Sequence, residues 1–351
     1  MALSYIKVWL LSLSHRMIVL QMKSSSNQVA LTDISNIISH IKEKSDYEIR
    51  GHEIHQVVKP GTTSIRERAL SVSNFCSRNE IEYLTYHSPV PRNECLNFAD
   101  ERSTKKAENL LLDTLMEAEL VKKESAIENN VLIVYHLPSV VSLEEIDQLD
   151  KEKKCRKLKD SETALSKFIG KHHTYIDKVA TITVENVFPK YFASAPRYAT
   201  INMYHPFELV RLSKYGIGIT FDFSHYNIYS NYLAYGKGNR VGDLDRELYG
   251  TSAPTWNQCI ELFGDSLKQV HINDGRGTDS PGEGLMLGEG EIPVLYTLRK
   301  INANCKLRSE ATHAEEIVQG TVELVNGHCD KANRQRVALE WLLNNGRDIF
   351  Y

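Results

Sequence analysis

The sequence predicts an α/β protein, a single (β/α)8 TIM barrel. Six short runs rich in apolar and β-branched residues each end at a histidine or carboxylate, namely His87, His136, Glu185, Asp222, His271 and Glu310. Successive members of this set are 37 to 49 residues apart, about the length of one strand, one loop and one helix. The chain of 351 residues, 42% of them hydrophobic, is long enough for one such barrel with insertions.

The elements of this barrel can be followed along the chain. The apolar runs predict eight strands: Met17–Met22, Tyr47–Gln56, Glu82–His87, Asn130–His136, Ala180–Val187, Ile217–Phe223, Lys268–Asn273 and Lys306–Glu310. Helical patterns lie between them, and the first is carried by Ile34, Ile37, Ile38 and Ile41. This alternation predicts parallel strands that are joined by right-handed crossovers.

Two stretches are longer than a strand–helix unit. Residues 143–179, after strand 4, include the charged run DQLDKEKKCRKLKDSE, which predicts an extra helical insertion exposed to solvent. Residues 226–252, after strand 6, are rich in tyrosine and glycine and predict a long loop. This loop either folds over a substrate as a lid or packs on its neighbours or on a second subunit, so a homo-oligomer is left open.

Composition and the N-terminus narrow the class of protein. Residues 1–16 are expected to be an N-terminal extension, because their apolar run lacks a small-residue cleavage site and is too short to cross a bilayer; residues 17–351 are expected to form the barrel. The net charge of −3 provides no basic field for nucleic acid. Six scattered cysteines without a CxxC pair are typical of a cytoplasmic protein. We expect no association with membranes.

Four consecutive strand ends predict a metal site. Glu185, Asp222, His271 and Glu310 supply three carboxylates and one imidazole, and catalytic groups of parallel barrels lie where the strands end. Such a ligand set suits Mn²⁺, Mg²⁺, Co²⁺ or Zn²⁺. Carboxylates left unbalanced in a barrel mouth would be costly. We therefore expect one divalent ion at these four residues.

Further polar residues are candidates for the same mouth. His87 and His136 could bind a second metal ion that shares Glu185, or substrate hydroxyls or phosphate, and both interpretations stay open. His225 is expected to project towards substrate or another ion. Asp274 is expected either to bind substrate or to hold its own loop, and Arg276 either to bind a phosphate or carboxylate or to face solvent.

Ordered motifs give the chain a family resemblance. They are HSPV at His87, YHLPS at His136, VENV at Glu185, DFSH at Asp222 and His225, HINDGRG at His271, LGEGEIP, and SEA at Glu310. Over about residues 47–311 the chain resembles the xylose-isomerase-like barrel superfamily, which includes endonuclease IV and the sugar-phosphate isomerases and epimerases.

The isomerase and epimerase branch implies a single ion held by Glu185, Asp222, His271 and Glu310. It further implies that Glu185 and Glu310 remove and return a proton through an enediolate. We therefore predict a metal-dependent isomerase or epimerase that acts on a small sugar or sugar phosphate.

The endonuclease IV branch is the alternative. It implies a zinc-dependent abasic-site DNA phosphodiesterase with three zinc ions, of which His87, His136 and Glu185 would hold the first. The third site of that family needs an Asp-x-His before GEG, and this chain has SPGEGLML there. Nucleic acid is therefore the less favoured partner. A non-catalytic barrel is a third hypothesis, which the complete set of four ligands disfavours.

Overall fold

Eight parallel strands close into a barrel. The computed structural model describes residues 17–56, 64–88, 101–125, 127, 129, 131–137, 139–189, 191–192, 198–203, 205–236, 240–314, 316–327 and 330–350. The barrel strands are β1 (Ile18–Ser25), β2 (Gly51–His55), β3 (Tyr83–His87), β4 (Val131–Tyr135), β5 (Ala180–Glu185), β6 (Gly218–Asp222), β7 (Leu267–Ile272) and β8 (Val318–Val322). Strand β1 pairs with both β2 and β8, which closes the sheet. The predicted (β/α)8 barrel is confirmed.

Helices surround the barrel. They are α1 (Gln28–Ser45), α2 (Ile65–Arg78), α3 (Glu101–Glu124), α4 (Leu143–Asp147), α5 (Lys151–Val179), α6 (Pro206–Val210), α7 (Phe223–Tyr235), α8 (Arg240–Tyr249), α9 (Trp256–Phe263), α10 (Val294–Thr312) and α11 (Asn333–Gly346). Single 3₁₀ turns lie at Ser213–Tyr215, Gly264–Ser266, Ser280–Gly282 and Asp330–Ala332. A small antiparallel sheet combines Val140–Ser142, Tyr191–Phe192 and Tyr198–Thr200. Among the described helices, none is long and apolar enough to cross a membrane.

Local sequence explains where several helices begin and which face they bury. Helix α1 starts at Asn27, whose side chain accepts a hydrogen bond from the backbone N–H of Ala30 at 2.9 Å. Its four isoleucines at positions 34, 37, 38 and 41 are all buried, as the helical spacing predicts. Helix α2 starts with a reciprocal capping box between Ser64 and Glu67.

The eighth predicted strand is wrong. Residues 306–310 lie inside helix α10, and the eighth strand is Val318–Val322. The helix is stabilised by Leu298, Ile301 and Cys305, which recur at helical spacing and are buried. Because KLRSEAT contains no β-branched residue before its final threonine, it has little to hold it in a strand, whereas VQGTV alternates as a strand does.

The two longer stretches are helical. Residues 151–179 form the single helix α5, which buries Leu158, Leu165 and Phe168 beneath its charged surface. The long loop predicted over residues 226–252 is wrong, because this segment contains most of α7 and all of α8. The side chains of Tyr226 and Tyr229 are buried, and the ring of Tyr226 lies 5.0 Å from that of Trp256. These two tyrosines therefore contribute to the core. Residues 1–16 lie outside the described residues, and the predicted domain division stays a prediction.

A buried ion pair joins α5 to α8. The side chains of Lys154 and Asp245 are 1% and 0% exposed, and they form a salt bridge. Burial lowers the pKa of Lys154 to about 8, against the opposing effect of Glu208, so the ammonium is still mostly charged at neutral pH. The exposed pair Lys151 and Glu247 links the same two helices at 3.3 Å.

We predict that Asp245→Asn lowers the free energy of unfolding by about 3 kcal/mol, because it removes the carboxylate of a fully buried salt bridge with Lys154. Glu247→Gln is the matched control and is expected to change stability by less than about 1 kcal/mol, since its pair is exposed. Denaturant unfolding of both variants measures the difference. Equal losses of unfolding free energy in the two variants would show that the buried pair contributes no more to stability than the exposed pair.

Candidate metal centre

The carboxyl ends of the strands bring together three of the four predicted ligands. Glu185 ends β5, Asp222 ends β6 and His271 lies near the end of β7, and all three are buried. Glu310 does not join them, because it lies exposed on α10; its predicted place in the site is wrong. The fourth position is taken by Glu323, directly after β8. A usable signal was present, since the run VQGTV also ends at this carboxylate.

The four side chains form a tight cluster. One ligand atom from each of Glu185, Asp222, His271 and Glu323 lies within 4.8 Å of all the others. Nδ1 of His271 is at the centre, 3.3 Å from Oε1 of Glu185, 3.6 Å from Oδ2 of Asp222 and 2.7 Å from Oε2 of Glu323. The side chain of Glu323 is 30% exposed, so the cluster is reached from the mouth of the barrel.

The cluster fits a divalent cation. Nδ1 of His271 and Oε2 of Glu323 are buried and lie 2.7 Å apart, and neither makes a well-aligned hydrogen bond within the described part of the chain. Buried polar atoms are rarely left without a partner, and three carboxylates with one imidazole are ligands that divalent metals accept. Burial opposes charge on His271, but Glu323, Glu185 and Glu53 outweigh it and raise its pKa well above the usual value. The cluster therefore requires positive charge at its centre.

A second group shares Glu185. The Nε2 atoms of His87 and His136 lie 3.0 and 2.7 Å from Oε2 of this carboxylate, while its Oε1 faces His271. Nδ1 of His87 is 2.8 Å from the carbonyl oxygen of Ser88, to which it donates, and its Nε2 is thereby left to face the carboxylate. Burial lowers the pKa of His136 despite Glu185, which favours a neutral imidazole there. These residues could hold a second ion or bind substrate.

Helix α7 holds His225 beside Glu185, with Nδ1 of the histidine 3.2 Å from Oε1 of the carboxylate. Its backbone N–H donates to Oδ1 of Asp222 at 2.7 Å, so that Asp222 caps the helix. Its ring donates from Nδ1 to the carbonyl of Asn186 at 2.9 Å, and Nε2 lies 3.0 Å from Glu283. Burial opposes charge, but Asp222, Glu185 and Glu283 raise the pKa of His225 well above its usual value.

Asp274 holds its own loop. Its Oδ1 accepts backbone hydrogen bonds from Gly275 and Ile292 at 2.8 and 3.0 Å, and its Oδ2 accepts from Gly288 and Gly290 at 2.9 and 3.0 Å. Of its two predicted roles, the structure supports the loop-holding one. Arg276 is exposed in the same loop, and its role in binding substrate stays a prediction.

Three residues around the cluster were missed from the sequence. Lys23 and Glu53 lie inside β1 and β2, and Nζ of Lys23 is 2.8 Å from Glu53 and 2.6 Å from Glu323. His55 ends β2 with its ring 5.1 Å from that of His87, and burial lowers its pKa to about 3. The available signal was a charged or imidazole side chain within a short strand, because barrel interiors seldom bury such groups without partners.

Comparison with known proteins establishes the fold. No family model and no curated protein matches the chain. Among solved structures, D-allulose 3-epimerase from Methylomonas sp. is 12% identical with a TM-score of 0.54, and 94% of this chain aligns with 98% of that one. A putative sugar phosphate isomerase/epimerase from Anabaena variabilis is 11% identical with a TM-score of 0.55, at 94% and 98% coverage.

The IolI protein with a bound zinc atom is similar in the same way, with 13% identity, a TM-score of 0.52, and coverage of 94% of this chain and 99% of that one. At these identities the likeness concerns the fold. It agrees with the barrel fold that the sequence predicted.

We predict that Asp274→Asn loosens the loop of residues 275–293, because an amide offers one acceptor oxygen where the carboxylate offers two. The expected loss of stability is about 1 to 3 kcal/mol, with faster limited proteolysis within this loop. Asp279→Asn, an exposed position in the same loop, is the control and should leave both measurements unchanged. Equal proteolysis of the two variants would contradict the role of Asp274.

Proposed function

We propose that this protein is a divalent-metal-dependent isomerase or epimerase that acts on a small sugar or sugar phosphate. The observation that carries the proposal is the position of His271 Nδ1, within 3.6 Å of carboxylate oxygens from β5, β6 and the end of β8. Glu185, Asp222, His271 and Glu323 would hold the ion. His87 and His136, together with Glu185, could hold a second ion.

A bound divalent ion would supply stabilisation of negative charge that develops on the oxygens of a carbonyl and its neighbouring hydroxyl. The side chains supply the proton transfer. Burial opposes ionisation of Glu185, but the hydrogen bond from His136 and the charge of His271 outweigh it and lower the pKa of Glu185 well below the usual value. Glu185 is therefore ionised, as a proton acceptor must be. Glu323, three strands away across the mouth, would in its protonated form return a proton to the opposite face of the substrate carbon, and proton exchange with water would then restore both carboxyl groups.

His136 and His225 would bind and orient the substrate. His136 is 13% exposed in its side chain and His225 is 10% exposed, and both flank Glu185 on the side that faces the mouth. Imidazoles in these positions can donate to or accept from hydroxyl groups. The solved structures that share the fold give further support, since one is named a D-allulose 3-epimerase and has been solved with D-allulose.

One observation favours a second candidate, a zinc-dependent phosphodiesterase that acts on abasic DNA. The group of His87, His136 and Glu185 has the composition expected of the first metal site of endonuclease IV relatives. The third site of that family has no counterpart in sequence, because there is no histidine between His271 and Gly288. Glu283, which contacts His225, is a single carboxylate in that region.

A non-catalytic barrel would be expected to neutralise its carboxylates with fixed basic side chains. Lys23 does so for Glu53 and Glu323. Across the described ranges, Glu185 and Asp222 form ion pairs with histidines, and neither is paired with a lysine or arginine. Two of the central carboxylates thus depend on titratable imidazoles, which supports the enzymatic proposal.

We predict that Glu185→Gln and Glu323→Gln each lower proton exchange at the substrate carbon by at least about 100-fold, because each removes one acid or base. Incorporation of deuterium into D-allulose in D₂O, followed by NMR, measures the exchange. Glu310→Gln is the matched control and should exchange at the wild-type rate, since Glu310 is exposed on α10. Wild-type exchange in the Glu323 variant would remove this residue from the mechanism.

We predict that one equivalent of Mn²⁺, Mg²⁺, Co²⁺ or Zn²⁺ copurifies with each chain. A chelator should lower the melting temperature, because an ion that binds only the folded state, at a free concentration 100 times its Kd, adds about 2.7 kcal/mol to the free energy of unfolding. Elemental analysis before and after chelation provides the count. Three zinc equivalents would instead support the phosphodiesterase, and no metal with an unchanged melting temperature would contradict both enzymatic proposals.

A further inference from the structure

Below the four-residue cluster, a buried carboxylate contacts the central histidine from the opposite side. Oε2 of Glu53, which is completely buried, lies 3.1 Å from Nε2 of His271. The same oxygen accepts hydrogen bonds from Gln269 at 2.6 Å and from Thr321 at 3.0 Å. Three donors from β7 and β8 therefore fix a side chain that comes from β2.

This contact determines which ring nitrogen of His271 is directed towards the cluster. Nε2 of His271 donates its proton to Glu53, so Nδ1 is the nitrogen directed towards Glu185, Asp222 and Glu323. Carboxylates that hold the far nitrogen of a metal-binding histidine commonly fix its tautomer and ring orientation. Glu53 stands in that relation to His271.

Lys23 extends the same arrangement to the fourth ligand. Its Nζ lies 2.8 Å from Oε1 of Glu53 and donates to Oε1 of Glu323 at 2.6 Å. Oε2 of Glu323 lies 2.7 Å from Nδ1 of His271. One oxygen of Glu323 is thus held by the lysine, and the other faces the cluster.

We propose that Glu53 and Lys23 are positioning residues that set His271 and Glu323 for a metal ion without binding the ion themselves. This inference rests on the proposed metal site and adds a defined support to it. The pair spans β1 and β2, and β1 is the direct neighbour of β8 in the closed sheet. Lys23 and Glu53 are aligned in the register of the sheet. The closed barrel is what allows β2 to hold a residue of β7.

The direction in which Lys23→Met changes the affinity for the metal ion distinguishes a positioning role from a purely electrostatic one. Lys23→Met removes a positive charge from beside a dication, so electrostatics alone predicts tighter metal binding. Loss of positioning predicts weaker binding instead. The double variant Glu53→Gln/Lys23→Met leaves the net charge unchanged, so electrostatics predicts little effect, whereas loss of positioning predicts binding about 10- to 100-fold weaker.

The experiment is a titration of the metal-free protein with Co²⁺, followed by visible absorbance, which requires no substrate. Thr85→Val is the matched control, because Thr85 is aligned with Glu53 on β3 and donates to Gln319 without contacting His271. We expect Thr85→Val to bind Co²⁺ within about threefold of wild type, Lys23→Met to bind more weakly, and the double variant to bind about 10- to 100-fold more weakly. Thermal unfolding of each metal-free variant shows whether it is folded.

Tighter binding by Lys23→Met, or wild-type binding by the double variant, would overturn the positioning role and leave the metal site intact. Absence of Co²⁺ binding in the wild-type protein would overturn the metal site and the positioning role together. If the double variant does not fold, Lys23→Gln replaces it, because this side chain can hold one of the two carboxylates and gives the same contrast in sign.

Discussion

The structure depends on the balance of charge at one end of the closed barrel. Glu53, Glu185, Asp222, Glu283 and Glu323 lie around the same mouth, and three of these carboxylates are almost completely buried. Like charges at such distances repel strongly when water is excluded. Within the described ranges, Lys23 and the surrounding imidazoles provide the opposing charge, and a metal ion would complete it.

Glu185 belongs to both groups of candidate ligands and connects them. Its Oε2 faces His87 and His136, and its Oε1 faces His225 and His271. The two histidine pairs therefore compete for one carboxylate when no ion is bound, and they would share it as a bridging ligand when two ions are bound. This is why sugar isomerisation and phosphodiester hydrolysis both remain chemically consistent with one arrangement of residues, and why the number of bound ions separates them.

Much of the site could be predicted because strand ends have a recognisable pattern. Glu185, Asp222, His87 and His271 each lie at or near the end of a short apolar run, and all parallel strands of a barrel end at the same rim. Glu310 was assigned wrongly because the regular spacing of the earlier strand ends led us to expect a strand end near this position. Helix α10 extends through it instead. Seven of the eight strands were predicted from short apolar and β-branched runs at regular spacing, and the helix after β4 from its charged run.

The sequence by itself determined the barrel, the order of its strands and most of the polar residues at its mouth, because these follow from local periodicity and from where each strand ends. Only the tertiary structure decided the partners of Lys23 and Glu53. Glu53 meets His271 across 218 positions of sequence, and Lys23 meets Glu323 across 300. Such contacts exist because β1 pairs with β8 and closes the sheet, and no local pattern records which interior side chains will then face one another.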